Sequence, residues 1–342
     1  MGAIAIYSSG MVTGVGLDAP SSCAAIRVGI TGFVETRFMF GGEWLQGCPV
    51  PMPEPLRGVA KLRRMAAAAI AECLEAANAG VLARYPLLLC VAEPERPGRF
   101  SDLGPALLND VAVELGAVLH PDSRLFAGGR VGGVHALEHA RRLITAGAPG
   151  CVVAGTDTLL VAGTLEACNA ARRLVTAEHS DGFIPGEAAA AVLVGPVRRQ
   201  VAAQLLCMGL GFGEESAPLG SGEPLRADGL VQAIRAAFAD ARCEYTDVQF
   251  RLTGNNGESY GFKEAALAMS RTLRQRKEAF DIWHPVDCIG EVGAATVPVL
   301  LGVMQAASFK GYAPGPGALC QISGDDAQRA ALVVQLRTGS GG

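Results

Sequence analysis

Aromatic residues are few in this chain, at 6% of the sequence, and only 18% of residues are charged. Basic and acidic residues are interspersed, and the formal net charge is -4. Without a basic stripe the chain lacks the footprint of a nucleic-acid binder, and without a polybasic amphipathic helix it lacks that of a membrane-surface protein. The ten cysteines form no C-x-x-C pair, and no charged n-region with an apolar core precedes a cleavage site; together these predict a reducing, cytoplasmic setting. The longest apolar stretches, "RYPLLLCVAE" and "GCVVAGTDTLLVAGT", are too short or too interrupted by polar residues to span a bilayer. The segment "GVGLDAPSS" has too few glycines in the right places to cradle a phosphate. What the sequence does have is an apolar half, rich in Gly and Ala, in 342 residues. That length suits two ordinary domains or one large domain of two halves, built of close-packed helices and buried strands.

Short apolar runs bounded by Gly or Pro alternate with longer helical patterns, as in an α/β protein. Strands are expected at "AIAIYSSG", "LLLCVAE", "RLFAGG", "CVVAGTD", "AAAVLVG", "QLLCMGLGFG", "VQFRLTGN", "ALCQIS" and "AALVVQLR". Helices are expected over 58–79, 103–119, 132–146, 229–241, 262–276 and 292–307, with Pro298 kinking or breaking the last. The Pro/Gly/Ser-rich stretch "ESAPLGSGEPLRADG" reads as a linker between two regions of similar grammar. The first region holds "GGRVGGVHAL" and the second "CIGEVGAATVPVL". Gly-Arg-Val-Gly-Gly is echoed by Gly-Glu-Val-Gly-Ala, and a duplicated fold would bring these helix starts to equivalent places. One carries Arg130, the other Glu291. A cation at a helix N-terminus is disfavoured by some tenths of a kcal/mol unless an acid answers it, so Arg130 calls for a partner.

Four further segments resemble the β-ketoacyl synthase branch of the thiolase-like superfamily. "SSGMVTGVGLDAPSSCAAIRVGITGF" looks like its opening strand, T-G-x-G loop and helix. "GCVVAGTDTLL" resembles the strand after the nucleophile helix. "SDGFIPGEAAAAVLVG" is similar to D-G-F-V-x-G-E-G-A-G-x-L-V-L, and "ALCQISGDDAQRAALVVQLR" resembles the closing loop and last strand. The resemblance covers nearly the whole chain. It implies a five-layered αβαβα fold of two pseudo-duplicated halves, 1–198 and 199–342, whose nucleophile helix and last helix meet at a central site.

Condensation in that family needs a Cys thiolate at a helix N-terminus and two His, or a His and an Asn, to polarise the thioester. Here the resemblance sets Arg130 at the nucleophile position, and no cysteine lies within about twenty residues on either side. The first His falls at Gly254, beside Asn255 and Asn256; the second falls at Glu291, and the family's Lys at Val286. The gate loop G-F-G-G becomes Gly324, Asp325, Asp326 and Ala327. With all three reactive positions altered, the fold carries over and the condensing mechanism does not. The expectation is an Arg130–Glu291 salt bridge filling the site, with the space between Asn255, Asn256 and Asp325 too small and polar for an acyl chain.

His135, Glu138 and His139 spell H-x-x-E-H, an inverted zincin motif, against which stands the plainer reading of two satisfied buried or interface histidines. Cys288 and Cys320 are alternative nucleophiles only if a His is near, and His284 is the one close in sequence. Arg271, Arg274, Arg276 and Lys277 would suit an acidic carrier protein or simply a solvated helix face. The reading is therefore an inactive ketosynthase-like protein with no cofactor, acting through a protein partner: a ketosynthase subunit, an acyl carrier protein, or a type VI secretion effector or its adaptor. It is expected to dimerise, with itself or a second subunit, through the edge strand "SRLFAGG". The alternative is an acyltransferase, a hydrolase or a 3-oxoacyl-ACP synthase-type enzyme using Asn255 and Glu291 on acyl thioesters.

Overall fold

The computed structural model describes residues 2–339. A first run of elements comprises β1 (Ile4–Thr13), α1 (Ala19–Arg27), the hairpin β2 (Val34–Phe40) and β3 (Glu43–Gly47), α2 (Gly58–Ala76), β4 (Leu87–Val91), α3 (Ala106–Glu114), β5 (Arg124–Ala127), α4 (Gly129–Thr145), β6 (Cys151–Thr158), α5 (Ala162–Ala170) and β7 (Glu187–Pro196). A second run follows: β8 (Ala203–Glu214), α6 (Asp228–Ala241), β9 (Phe250–Thr253), α7 (Ser259–Thr272), β10 (Ile282–Trp283), α8 (Val286–Ile289), α9 (Thr296–Phe309), β11 (Gly317–Ser323) and β12 (Gln328–Thr338).

Ten strands form one hydrogen-bonded sheet in the order β10-β9-β11-β12-β8-β1-β7-β6-β4-β5. Outward from the centre, β1-β7-β6-β4-β5 and β8-β12-β11-β9-β10 follow the same plan: two antiparallel pairings, then two parallel ones. The two plans join through β1 and β8, which pair over Ile4, Ala5 and Ile6.

Strands buried on both faces lose the polar alternation of a surface strand, and this explains the apolar runs. In β7, Ala188, Ala190, Val192 and Val194 enter the central core, while Ala189, Ala191 and Leu193 pack with α2 and α3 on the other side. In β12, Ala330, Leu332 and Val334 enter the same central core, and Ala331 and Val333 pack with α6 and α7. The central core also takes Val131, Val134 and Leu137 of α4 and Val297, Leu300 and Met304 of α9. The layers are thus α2–α3, sheet, α4–α9, sheet, α6–α7. Helix α6 lies directly on β8, where any side chain at Gly209, Gly211 or Gly213 would strike its backbone.

All nine expected strands form, and the elements not anticipated from the residues are short: α1, which only the resemblance implied, β2, β3, β10, α5 and α8. Helix bounds moved. The expected 103–119 helix is only Ala106–Glu114, and 262–276 becomes Ser259–Thr272. Pro298 neither kinks nor breaks a helix, because α9 starts at Thr296 after a 3-10 turn at Gly293–Ala295. Proline in a first turn gives up an N–H that has no intrahelical partner anyway. The stretch 215–229 is not a linker between the two runs; it connects β8 to α6 within the second.

Candidate functional site: a buried arginine–carboxylate network

Helix α4 opens three residues earlier than its sequence pattern indicated, because Gly129 takes φ +50 and the Gly132 N–H closes onto the Gly128 carbonyl at 3.0 Å. Arg130 is therefore the second residue of the helix, at the positive end of its dipole. Its Nη1 lies 3.4 Å from Glu291 Oε2, and its Nη2 donates to Asp325 Oδ1. The side chains are 13% and 3% exposed for Arg130 and Glu291. Two carboxylates outweigh the unfavourable helix terminus and the burial, and hold the guanidinium charged.

Glu291 reaches this point because its backbone is stitched to the chain ahead of β7. Its N–H donates to the Ile184 carbonyl (2.8 Å), and its own carbonyl accepts from Gly186 N (2.9 Å). Gly290 supplies the turn at φ +71. The carboxylate accepts one hydrogen bond at Oε1 from Gly293 N (2.8 Å), while Oε2 accepts none. Burial pushes its pKa up, against the pull of Arg130.

Asp325 is also gripped by Arg173, Nη1 to Oδ2 at 2.8 Å and Nη2 to Oδ1 at 3.1 Å. Burial alone would raise the Asp325 carboxyl, but the two guanidiniums outweigh it and hold it well below the usual carboxylate range. Arg173 in turn makes a fork to Glu258, with both bonds at 2.8 Å. The loop carrying Asp325 is anchored by the fully buried Arg329. Its Nη1 donates to the carbonyls of Gly324 (3.2 Å), Asp326 (2.7 Å) and Gln328 (2.8 Å), and its Nε to Glu264 (2.6 Å). A fourth arginine, Arg96, forks to Glu93 (2.9 and 2.7 Å) and donates to Asp157 (2.8 Å). The Asp157 carboxylate also accepts from Ala294 N at 2.8 Å, fixing the turn before α9. Burial pushes Asp157 up despite Arg96.

Over this network lies an open cavity of about 680 Å³, lined by Arg96, Arg130, Arg173, Glu291, Asp325 and Phe183 among others. It is not the space between Asn255, Asn256 and Asp325 that is expected to be too small and polar for an acyl chain. Gly254, Asn255 and Asn256 are not in its lining. Gly254 is buried, its N–H bonded to the Gln321 carbonyl at 3.2 Å; Asn256 donates to Glu258 at 3.0 Å; Asn255 Nδ2 is buried without a partner. The Asp326 carboxylate accepts from Gln328 N and Nε2, both at 2.9 Å. The thiol that reaches the cavity is Cys168, pushed up to about 11 by burial, and no histidine lines the space.

The other candidates have local partners. His135 stacks on Phe212 with centroids 4.6 Å apart and bonds Gln328 at 3.0 Å; His139 lies against Phe126; Glu138 pairs with Arg142 at 2.9 Å. Among the described residues no group of three or more His, Cys, Asp or Glu could hold a metal ion. Cys288 and Cys320 are buried thiols, both pushed up, and His284 pairs instead with Asp287 at 3.1 Å. Arg271 pairs with Asp228 at 2.7 Å, and Lys277 bonds the Val248 carbonyl at 2.5 Å. No helix of the described residues is long and apolar enough to cross a membrane.

No protein-family model and no curated protein matches the chain. Solved structures do. A chain from a type II polyketide synthase acyl-carrier protein in complex with its ketosynthase bound to the hexaketide gives a TM-score of 0.80 at 14% identity, covering 98% of this chain and 99% of that one. The ishigamide ketosynthase/chain length factor gives 0.79 at 14% identity, over 98% and 99%. A ketosynthase in complex with its chain length factor from Xenorhabdus doucetiae gives 0.75 at 12% identity, over 98% of both chains. Over 98% of its length, then, this chain has the thiolase-like α/β fold in the form found in ketosynthases and their chain length factors.

Proposed function

We propose that the protein is a non-condensing member of the ketosynthase-fold group, built of halves 1–198 and 199–342, which works by pairing with another protein. The observation that carries this is the network at the α4 terminus: Arg130 is held between Glu291 and Asp325 where condensation requires a thiolate. Glu291 is ion-paired, and Gly254 has no side chain to polarise a carbonyl. Cys168, the thiol at hand, has no histidine beside it in the cavity wall, and burial pushes its pKa up to about 11. The repeated strand plan supports the division into halves.

Ketosynthase/chain length factor complexes are among the structural neighbours, and they support a ketosynthase-fold subunit as the partner, in preference to a secretion effector or adaptor. Strand β5 ends the sheet and offers an unpaired edge for that contact. A second reading, an enzyme acting on acyl thioesters, is favoured by one observation, the open cavity. The partner reading is tested by size-exclusion chromatography and affinity purification from the native host. A defined complex with a ketosynthase-fold subunit is expected, lost on Leu125→Pro in the β5 edge and kept in the variant Arg130→Met/Glu291→Met. A monomer that recovers no such subunit contradicts it.

A further inference from the structure

A second cavity, of about 510 Å³, opens at the β10 end of the sheet, where residues of α1, β10, α8 and α9 meet; it shares no lining residue with the cavity over the arginine network. Its volume falls in the range of small-molecule sites. Ile26, Val303, Cys23 and Cys288 give it an apolar wall. Burial pushes the Cys23 thiol up to about 11 and raises that of Cys288, so both wall thiols stay uncharged.

The rest of the lining holds donors with nothing to donate to. The Arg27 guanidinium lies 4.3 Å from the centre of the Tyr312 ring, and the Trp283 ring stacks on the same ring with centroids 6.3 Å apart, so the three side chains form one cluster. Among the described residues the Arg27 guanidinium, the Tyr312 hydroxyl and Trp283 Nε1 have no acceptor, and Arg27 has no carboxylate partner. These atoms are reachable: Arg27 is exposed, Trp283 and Tyr312 are half-buried, and neither ring's polar atom is occluded in the way that His284 Nδ1 is. Half-buried Tyr and Trp side chains ordinarily find a partner for the O–H or N–H. The one carboxylate in the lining, Asp287, is 65% exposed and pairs with His284 at 3.1 Å. Stacking on Tyr312 positions the Arg27 cation without neutralising it. The cavity thus combines an apolar wall, aromatic faces and three unused donors, one of them charged, which complements an aromatic body carrying one anionic acceptor group.

We propose that this cavity binds a small aromatic carboxylate, with its carboxylate accepting from Arg27 and the Tyr312 hydroxyl and its ring against Trp283, Ile26 and Val303. This role is separate from condensation and from protein pairing, and it involves no covalent step.

The test is calorimetric titration of the purified protein with sodium phenylacetate, with benzyl alcohol, phenethylammonium chloride and sodium hexanoate as comparisons. Phenylacetate should bind at least tenfold tighter than any of the three. Arg27→Gln removes the charge at an exposed position in the last turn of α1, where the fold does not depend on it, and should weaken phenylacetate at least tenfold. Tyr312→Phe removes the hydroxyl alone and should weaken it by about three- to tenfold. Trp44→Phe leaves Trp283 as the sole tryptophan, and nitrophenylacetate should quench its emission as it binds. No binding of phenylacetate, equal or tighter binding of phenethylammonium or hexanoate, an affinity unchanged in Arg27→Gln, or unquenched Trp283 emission would overturn the proposal.

Discussion

The two loops that open the central helices look alike in sequence and differ in space. In the sequence echo Gly129-Arg130 matches Gly290-Glu291. In the fold the glycine equivalent to Gly129 (φ +50) is Gly293 (φ +51), three residues further on. Each begins a helical turn, and each lies against a carboxylate, Glu93 at Gly129 and Asp157 at Gly293, that a Cβ would strike. Arg96 bonds both carboxylates and so sits between the two turns. Arg130 and Glu291 are therefore not equivalent positions. Arg130 is inside its helix, whereas Glu291 lies in extended backbone ahead of the turn, bridged to Pro185. They meet because that bridge carries Glu291 under the α4 terminus. A repeated five-residue motif can mark two related helix starts and still misalign them by most of a turn.

The comparison can be broken at its charges first. Arg130→Met leaves Glu291 buried without its cation and should cost roughly 3–5 kcal/mol in urea unfolding. Arg130→Met/Glu291→Met should cost less than half of that, because no carboxylate is then stranded beneath the helix. Equal costs for the single and double variants would mean that the pair is not coupled.

The glycine turns give a smaller effect that separates the loops. Alanine at either position meets positive φ, roughly 1–3 kcal/mol of strain. Gly293→Ala should be the worse of the two, because Asp157 is 2% exposed and pinned by Ala294 as well as Arg96, while Glu93 is forked to Arg96 but 31% exposed. A Gly129→Ala variant less stable than Gly293→Ala by thermal melting would contradict this equivalence of the turns.

The smallest effect is one of sign. Asp325 is held below the usual carboxylate range, so its contribution is present above about pH 4 and lost as pH falls. Glu291 is shifted upward, so its ionisation erodes stability as pH rises beyond the ordinary glutamate value, about 4.3. Melting curves should show the Asp325→Asn penalty growing from pH 2 to about 4 and staying level above it. The Glu291→Gln penalty should instead shrink as pH rises from about 4 to 8. Parallel trends would count against the assigned directions.

Much of the fold was legible because buried strands write themselves as apolar runs: β4, β6 and β7 are enclosed on both faces. The hairpin β2–β3 was not, since its residues are largely exposed and carry no core pattern. Of the network, Arg130, Glu291 and Asp325 stood out against the resembled motifs. Arg96, Arg173, Glu93 and Glu258 did not, because a charge in a loop reads as solvated until the fold brings its partner. Asp157 offered a usable signal: an acid closing a fully buried strand needs a cation. The cavity was not foreseen, because its walls come from segments far apart in the chain.

The central claim is that this ion network replaces condensing chemistry. Its most direct test is to incubate the purified protein with malonyl and acyl thioesters, following carbon dioxide release and intact mass together. The account predicts no decarboxylation and no acyl adduct, for the wild type and equally for Arg130→Cys, which restores a thiol but not the partners that polarise the thioester. Acylation of Cys168, or wild-type turnover that disappears in Glu291→Gln, would contradict it.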